Sequence, residues 1–287
     1  MQCSLCEKKV VFKSPSLCSK HFVEYFEDKV QDTIREQDLI PKGSRVCVAA
    51  SGGKDSLTLL YLLHKFGYDV EALAIDEGIA DYREHSLKDL KTLCEDNNIT
   101  LTIIPFSSLI NKDLDDVMKE KIHACTVCGT LRRKIMNDHA QKYDLIATGH
   151  NADDEAQAIL MNLFRAQTQM LFRSGPSTNK QEGFTPRIKP LYFCTEKEIL
   201  TYALIKGYKG EFTECPYAKA AYRERTRAVI NDYTTKNPQA KNNVLKKYLS
   251  LRKTHKHPTR TNECVRCGAP TPNKTCSACT LIQVHKK

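Results

Sequence analysis

The sequence predicts an α/β protein built on a doubly wound parallel sheet, with a small cysteine-rich module at each end of the chain. Three observations lead to this fold class. Short apolar runs alternate with amphipathic helical patterns between about residues 45 and 205, which is the order of parallel sheets covered by helices. One apolar run leads through two glycines directly into a helical pattern. Close cysteine pairs near both termini mark the end modules.

The alternation gives the elements of the central region in order, because each apolar run ends at polar, Gly or Pro residues. We expect strands at 46–50, 70–75, 99–104 and 145–148, and helices at 54–66, 82–97, within 109–142 and at 152–164. An amphipathic helix at 22–40 precedes them, the stretch 166–190 has the composition of a loop, and 222–251 is helical and basic.

The composition argues against a membrane-spanning or secreted protein and favours a polyanionic partner. The chain has 287 residues and 41% hydrophobic content, enough for one α/β domain with attachments. No apolar run approaches the ~20 residues needed to cross a membrane, and the N-terminus lacks a signal-peptide pattern. We therefore expect a cytoplasmic protein. The net charge is +10, and Lys236 to Arg260 contains eight Lys or Arg residues and no acidic one. RNA contact is favoured there over a merely solvated helix face.

The terminal cysteines have the spacing of structural zinc sites. In a reducing compartment, thirteen cysteines indicate metal binding rather than disulfides. Two close ligand pairs suit tetrahedral zinc, and the metal would stabilise segments too short to fold alone. The first set is Cys3, Cys6, Cys18 and His21, and the second is Cys264, Cys267, Cys276 and Cys279. Cys47 is expected to be buried in the first strand, and Cys94 and Cys194 to have no special role.

The segment Ser51-Gly52-Gly53-Lys54-Asp55-Ser56 is expected to bind phosphate. Two residues without Cβ let the backbone approach a ligand, and the N–H groups opening the next helix attract an anion. The spacing does not fit a Walker A loop, but the string resembles the PP-loop of the N-type ATP pyrophosphatases. That resemblance implies cleavage of ATP between the α- and β-phosphates and transfer of AMP to a carbonyl oxygen.

Two further strand ends carry candidate nucleotide contacts, since ligands of doubly wound sheets bind beyond the carboxyl ends of the strands. The backbone of Ile75 comes at such an end and would either meet an adenine ring or form a plain turn. Asn151 follows the strand at 145–148 and would cap the next helix. Asp154, early in that helix, would either interact with the helix dipole or bind Mg²⁺ on the phosphate side.

Three cysteines inside the chain form a separate group. Cys125 and Cys128 make a Cys-x2-Cys pair, and Cys215 has no partner of its own nearby in the sequence. Three thiolates can hold three corners of a cubane iron–sulfur cluster and leave one iron open. A redox dithiol with an idle Cys215 is the alternative, and the residues alone do not separate the two.

Over nearly its full length the chain resembles the TtuA/NcsA group of tRNA uridine 2-thiolation enzymes, in which a PP-loop domain with three cysteines lies between two zinc fingers. The resemblance implies an adenine nucleotide alpha hydrolase-like fold, ATP with Mg²⁺, two Zn²⁺, a [4Fe–4S] cluster and a homodimer. It implies that the three cysteines and Asp154 act in catalysis. The residues implied to contact ATP are Ala49, Ser51, Gly52, Gly53, Lys54, Asp55, Ser56, Ile75, Arg132, Gly149 and Asp154. Arg132 stands where some relatives carry lysine, and His21 where many carry cysteine.

The implied reaction has two stages. ATP adenylates the C2 carbonyl oxygen of a tRNA uridine, and sulfur bound at the cluster then displaces AMP to leave 2-thiouridine. The sulfur donor would be sulfide or a ubiquitin-like thiocarboxylate protein, and the zinc modules and basic tail would position tRNA through phosphate contacts and shape. The expected parts are a zinc finger at 1–25, a linker helix at 26–44, the PP-loop domain at 45–205, a basic tRNA-binding region at 206–260 and a zinc ribbon at 261–287.

Several alternatives stay open at this point. A tRNA cytidine 2-thiolase also pairs a PP-loop with cluster cysteines, but the two zinc modules disfavour it. The three thiols could carry persulfide without iron, and a zinc-containing RNA-binding protein with an inactive ATP loop is the non-enzymatic hypothesis. The wobble uridine is favoured over the T-loop uridine, because the chain is rich in Asn, Gln and Cys, which high temperature disfavours.

Overall fold

The computed structural model describes residues 2–118, 124–178, 183–208, 215–217, 222–253 and 262–285. Within these residues a five-stranded sheet and two short hairpins are accompanied by helices. The strands are β1 (Phe12–Lys13), β2 (Ser16–Leu17), β3 (Arg45–Ala49), β4 (Asp69–Asp76), β5 (Leu101–Pro105), β6 (Leu145–Thr148), β7 (Arg187–Ile188), β8 (Asn262–Glu263) and β9 (Pro270–Thr271). The helices are α1 (Ser19–Glu36), α2 (Lys54–Lys65), α3 (Arg83–Asp96), α4 (Ser107–Ile110), α5 (Leu114–Met118), α6 (Ala124–His139), α7 (Ala152–Phe164), α8 (Thr168–Leu171), α9 (Glu196–Ile205), α10 (Tyr222–Lys236), α11 (Ala240–Arg252) and α12 (Ser277–His285).

Strand β3 lies at the centre of the sheet and determines where a ligand can bind. The strand order is β5-β4-β3-β6-β7, and all neighbours are parallel. The chain runs outward from β3 to one edge, returns to β6 on the other side of β3, and continues to the opposite edge. Open parallel sheets bind ligands at the carboxyl ends of the two strands where the order reverses. The predicted doubly wound sheet is confirmed.

Alternate residues of β3 pack into different cores. Val46 and Val48 lie in the large core with residues of α1, α2 and α9, whereas Cys47 contacts a smaller core with Ile146 and Ala140. Side chains of a strand point to opposite faces in turn, so a strand covered on both faces has a continuous apolar run. Cys47 is 1% exposed, which confirms the prediction that it is a buried strand residue.

The N-terminal module shares the large core with the sheet. Helix α1 begins at Ser19, directly after Cys18, and extends across the boundary expected at residue 25. Phe12 of β1 packs on Phe22 with ring centroids 4.7 Å apart. Phe26 packs on Tyr202 of α9 at 4.8 Å. These contacts join the module to the α9 side of the sheet.

The C-terminal module packs beside the helix that carries Cys125 and Cys128. Helix α12 contacts α6 and α4. Leu281 and Ile282 of α12 pack against the core that contains Leu131 and Ile135 of α6. The module is therefore held close to α6, and α6 begins at the Cys-x2-Cys pair.

The stretch 166–190, predicted to be a loop, contributes regular structure. It contains α8 and the edge strand β7, whose Arg187 and Ile188 pair with β6. A strand of two residues is too short to show a hydrophobic period, which explains why the prediction was wrong there. The region 109–142 forms three helices, with 119–123 outside the described residues, followed by a 3₁₀ turn at Ala140–Lys142. In the part of the chain that the structure describes, no helix is long and apolar enough to cross a membrane.

Candidate active site

The residues Ser51 to Ser56 form a tight loop between β3 and α2. Gly52 has φ +83°, and a Cβ there would lie 1.9 Å from the backbone oxygen of Ser86, so glycine is required. Ser56 Oγ closes the loop by accepting the N–H groups of Ser51 and Gly52, both at 3.1 Å, and by donating to the Gly53 carbonyl at 3.0 Å. No side chain caps α2 at Gly53. The first amides of α2 therefore suit a phosphate group.

Lys54 and Asp55 extend from this loop toward other charged groups. Lys54 Nζ lies 2.9 Å from Glu196 Oε1 and 3.2 Å from Asp55 Oδ2. Burial lowers the pKa of Lys54, but Asp55 and Glu196 outweigh it and raise that pKa above its usual value, so Lys54 is charged at neutral pH. Burial raises the pKa of Asp55, and the nearby Asp154 carboxylate raises it further. The loop thus presents a cation beside closely spaced carboxylates.

A cavity lies next to the loop, and side chains of α2, α7, α9 and α10 line it. The lining residues are Asp55, Asn151, Asp153, Asp154, Gln157, Glu196, Arg223, Glu224 and Arg227. Asn151 caps α7 as predicted, accepting the N–H groups of Asp153 at 2.9 Å and Asp154 at 3.1 Å. Asp154 Oδ2 accepts the N–H of Asn151 at 3.3 Å, and Asp154 Oδ1 accepts from Arg223 at 3.0 Å. Asp55 and Asp154 on one cavity form a donor set suited to Mg²⁺.

Gly149, at the end of β6, brings that strand against the loop. A Cβ at Gly149 would lie 3.0 Å from the backbone of Asp55 and Ser56. Such a contact is tighter than a side chain normally allows, so glycine permits the close approach. Ala49, the last residue of β3, is half-buried directly before the loop. Both residues thus adjoin the proposed phosphate site through backbone rather than through reactive side chains.

Arg83 of α3 is a buried cation whose role was not apparent from the sequence. It is 4% exposed and donates from Nε to the carbonyl oxygen of Ile75 at 3.0 Å. It also donates to the carbonyl oxygen of Ser51 and, at 3.0 Å, to Ser86 Oγ. The carbonyl of Ile75, the expected adenine contact, thus accepts a hydrogen bond from Arg83. Arg83 ties the end of β4 to the start of the loop.

Glu77 connects Arg83 to the cysteine helix. Glu77 is 5% exposed and lies 2.9 Å from Arg83 Nε and 3.4 Å from Arg132 Nε. Arg132 is one helical turn beyond Cys128 on α6, so the two lie on the same face. Burial raises the pKa of the Cys128 thiol to about 11, and Arg132 opposes that rise. The contacts Ser51–Arg83–Glu77–Arg132 therefore link the phosphate loop to the cysteines.

The three internal cysteines lie in one neighbourhood. Cys125 is exposed, and Cys128 and Cys215 are half-buried against the core that contains Ile75. Cys125 Sγ contacts the carbonyl of Tyr217 at 3.9 Å, and Cys215 is close enough to Cys128 to raise its pKa. Within the described ranges, these sulfurs are not a set of ligand atoms all within 4.8 Å of one another. Three thiolates in one neighbourhood match the donor set of an iron–sulfur cluster, in which each thiolate binds a different iron.

The N-terminal ligands have the spacing that zinc requires. Cys3, Cys6, Cys18 and His21 bring their ligand atoms within 4.8 Å of one another. The Cys6 and Cys18 sulfurs are 3.7 Å apart, and His21 Nδ1 lies 3.3 Å from Cys3 Sγ and 3.6 Å from Cys18 Sγ. Tetrahedral zinc places two sulfurs about 3.8 Å apart and a sulfur and a nitrogen about 3.6 Å apart. The donor set and its dimensions therefore fit zinc.

The C-terminal ligands form a second such group. Cys264, Cys267, Cys276 and Cys279 bring their sulfurs within 4.8 Å of one another, and the Cys267 and Cys276 sulfurs are 3.8 Å apart. The backbone N–H of Cys276 donates to Cys264 Sγ at 3.3 Å. That and further backbone hydrogen bonds lower the pKa of Cys264 to about 6. A thiolate is thus present at neutral pH, as metal binding requires.

The parallel sheet, the glycine loop at its switch point and the charged cavity beside it together define a nucleotide-binding protein. A family model described as the PP-loop domain matches residues 22–231. The chain belongs to the PP-loop domain family, in the branch that contains the tRNA 2-thiolation proteins.

Relatives cover the chain from end to end. It is 36% identical to the tRNA-5-methyluridine(54) 2-sulfurtransferase of Pyrococcus horikoshii, over 100% of this chain and 95% of the relative. It is 37% identical to the cytoplasmic tRNA 2-thiolation protein 1 of Caenorhabditis briggsae, over 93% of this chain and 75% of the relative. The structure of the U34-tRNA thiolase NcsA from Methanococcus maripaludis, solved with its [4Fe–4S] cluster, superposes with a TM-score of 0.84 at 28% identity, covering 99% of this chain and 96% of that one.

Proposed function

We propose that the chain is a cytoplasmic tRNA sulfurtransferase that uses ATP to replace the C2 oxygen of the wobble uridine with sulfur. The names of its relatives support 2-thiolation of tRNA, and the NcsA name supports the wobble position. The observation that carries the proposal is the chain of contacts Ser51–Arg83–Glu77–Arg132. It joins a phosphate loop to a group of three cysteines, the two parts that activation and sulfur transfer need.

In the first step the uridine C2 oxygen attacks the α-phosphate of ATP, and pyrophosphate leaves. The amides that open α2 and the Lys54 ammonium bind the phosphates, and their positive potential stabilises the charge that develops. Asp55 and Asp154 would hold Mg²⁺, which supplies further charge neutralisation on the leaving group. The open end of the sheet beyond β4, near Ile75, receives the adenine ring.

In the second step a carbon–sulfur bond forms at C2 and the bond to the adenylated oxygen breaks, so that AMP leaves. Cys125, Cys128 and Cys215 would hold a [4Fe–4S] cluster, which supplies an iron that has no protein ligand and can accept sulfide. Arg132 adds positive charge beside Cys128, which favours the thiolate form that iron binds. The sulfur donor is sulfide or a ubiquitin-like thiocarboxylate protein.

The remaining parts bind structural metal and tRNA. The terminal modules, 1–25 and 261–287, would each hold one Zn²⁺, and four protein ligands leave no open position for catalysis. The basic region at 206–260 contacts tRNA phosphates, which position the substrate without reading sequence. ATP binds within 45–205, the helix 26–44 joins this domain to the first module, and the enzyme acts as a homodimer.

The test of this proposal is reconstitution under anaerobic conditions. The purified chain is assayed for iron and acid-labile sulfide, then incubated with Mg·ATP, unmodified tRNA and sulfide, and AMP, pyrophosphate and 2-thiouridine are quantified by mass spectrometry. We expect Cys215→Ala to lose iron and 2-thiouridine formation. Cys94→Ala is the matched control, because Cys94 is buried in the large core rather than in the core that Cys128 and Cys215 contact, and it should retain both. Full iron content and thiolation in Cys215→Ala would refute the cluster assignment.

Mapping the sulfur in the tRNA decides the substrate position. Digestion of the product tRNA and sequencing of the fragments should place the thiolated nucleoside at position 34. Sulfur at position 54 would refute the wobble assignment and support the alternative suggested by the Pyrococcus horikoshii relative, whose name specifies uridine 54.

A further inference from the structure

The basic side chains beside the PP-loop cavity are all engaged by carboxylates. Arg223 Nη1 lies 3.0 Å from Asp154 Oδ1, and Arg227 Nη2 lies 3.5 Å from Glu196 Oε2. Lys54 Nζ lies 2.9 Å from the other oxygen of Glu196. The same carboxylates, Asp154 and Glu196, line the cavity where a divalent cation would enter. A ligand that brought both phosphate and metal would offer each of these charged groups a new partner.

Helix α10 is arranged so that its two arginines form one wall of this cavity. Arg223 and Arg227 are four residues apart and therefore lie on the same face, and both line the cavity. The helix is held against α7, with Thr226 and Ile230 buried. Arg225 is exposed and is not among the residues that line the cavity. The arginines are thus fixed by the packing of α10, although this helix lies in the basic region that the sequence assigned to RNA.

We propose that Arg223 and Arg227 form a subsite for the β- and γ-phosphates of ATP and for the pyrophosphate that leaves. This inference rests on the proposed function and assigns these two side chains of α10 to the nucleotide, while the other basic residues of 206–260 remain assigned to tRNA. The PP-loop amides and Lys54 can surround the phosphates from the α2 side only. Guanidinium groups bind phosphate oxygens in a bidentate manner and stay charged at all relevant pH values. They complete the site from the α10 side.

Binding of Mg·ATP exchanges partners within the cavity. Arg223 and Arg227 bind the phosphate oxygens, and Mg²⁺ binds Asp154 and Glu196, the carboxylates that these arginines contact in the absence of ligand. Each of these partly exposed charged groups keeps a partner of opposite sign during the exchange. After cleavage the arginines hold pyrophosphate and no longer contact AMP, which carries only the α-phosphate. The subsite therefore discriminates between ATP and AMP.

The test measures nucleotide affinity with the full chain in the absence of tRNA and sulfur donor. Dissociation constants for Mg·ATP, magnesium pyrophosphate and AMP are determined by calorimetry for Arg223→Gln and Arg227→Gln. We expect each change to weaken ATP and pyrophosphate about 10-fold or more, the effect of losing one charge-assisted hydrogen bond. AMP affinity should stay within about 2-fold, because no lost contact reaches the α-phosphate. Arg225→Gln, on the same helix, is the matched control and should change none of the three.

Results that differ from these expectations would show that the two arginines do not bind the β- and γ-phosphates. Unchanged ATP affinity in both variants overturns the inference, and lowered tRNA affinity in a separate titration would then assign the arginines to RNA. Equal weakening of ATP and AMP indicates a disturbed fold, and a lowered midpoint of thermal unfolding would accompany it. Arg227→Lys should recover part of the pyrophosphate affinity, which a structural defect would not allow. If the unmodified chain binds ATP but transfers no sulfur to tRNA, the proposed function fails. The affinities of the arginine variants for ATP, pyrophosphate and AMP would still test the phosphate subsite.

Discussion

Replacing Glu77 with Gln tests whether the contacts between the phosphate loop and the cysteine helix matter as the structure indicates. Glu77 is 5% exposed and lies between Arg83, which is 4% exposed, and Arg132. The substitution Glu77→Gln keeps the shape of the side chain and one acceptor oxygen. It removes the charge, so the buried guanidinium of Arg83 loses its carboxylate partner.

The expected cost can be worked from the environment of Arg83. Removing one member of a buried ion pair costs about 3–5 kcal/mol when the other charge is left uncompensated. Arg83 retains the carbonyl oxygens of Ile75 and Ser51 as acceptors, so we expect the lower end of this range of about 3–5 kcal/mol. The Arg132 side chain is 42% exposed, so solvent screens its interaction with Glu77 and the loss of that interaction adds little to the cost. We expect the free energy of unfolding to fall by about 3 kcal/mol, which corresponds to roughly 5 °C in Tm for a chain of this length.

The assay is urea unfolding of the zinc-loaded chain, combined with calorimetric titration of Mg·ATP. ATP affinity should fall about 10-fold, because Arg83 also holds the Ser51 carbonyl at the start of the loop. Glu24→Gln is the control, since Glu24 forms an exposed pair with Lys20 at 3.8 Å, and it should change stability by no more than about 0.5 kcal/mol. A Glu77→Gln protein as stable as the control, with normal ATP affinity, would refute the reasoning.

Two further predictions concern the loop and the N-terminal helix. Gly52→Ala should abolish ATP binding, because its Cβ would collide with the Ser86 carbonyl. Gly43 is the control: it has φ +80° and open space around it, so Gly43→Ala should lower the free energy of unfolding by only about 1–2 kcal/mol and leave ATP binding intact. Equal effects of the two substitutions in calorimetry and urea unfolding would contradict this prediction. Burial lowers the pKa of Lys29, but the Glu198 carboxylate outweighs burial and raises this pKa above 10.5. The Lys29–Glu198 ion pair therefore stabilises the fold fully below pH 10.5, and this stabilisation is lost as the pH rises through the raised pKa. Lys29→Met should lack that alkaline loss of unfolding free energy, and an identical pH profile in the two proteins would count against the pair.

Local patterns in the sequence were sufficient to predict the central strands and the loop that follows the first of them. The strands β3, β4 and β6 are rich in apolar residues because both faces of the sheet are covered. The loop at Gly52 was visible because its backbone conformation requires glycine. Strand β7 was missed because a pair of residues, Arg187 and Ile188, shows no period.

The charged network of the site could not be predicted, because its members are far apart in the sequence. Glu77 lies between β4 and α3, and its role depends on Arg132, which lies on α6. Thr195 and Glu198 have the spacing of a capping box, and they do cap α9. That pattern could have predicted where α9 begins. It does not indicate that Glu196 reaches Lys54, because this depends on how α9 packs against α2.

The first turn of α9 shows why the N-terminal module cannot be treated as a separate appendage. Glu198 accepts hydrogen bonds from Lys29 and Tyr25 of α1, the helix whose first turn carries the proposed zinc ligand His21. Glu196, two residues earlier, pairs with Lys54 of the phosphate loop. Helix α1 is held on α9 by these hydrogen bonds, and α9 positions Glu196 opposite Lys54. The N-terminal module therefore packs as a structural part of the nucleotide-binding domain.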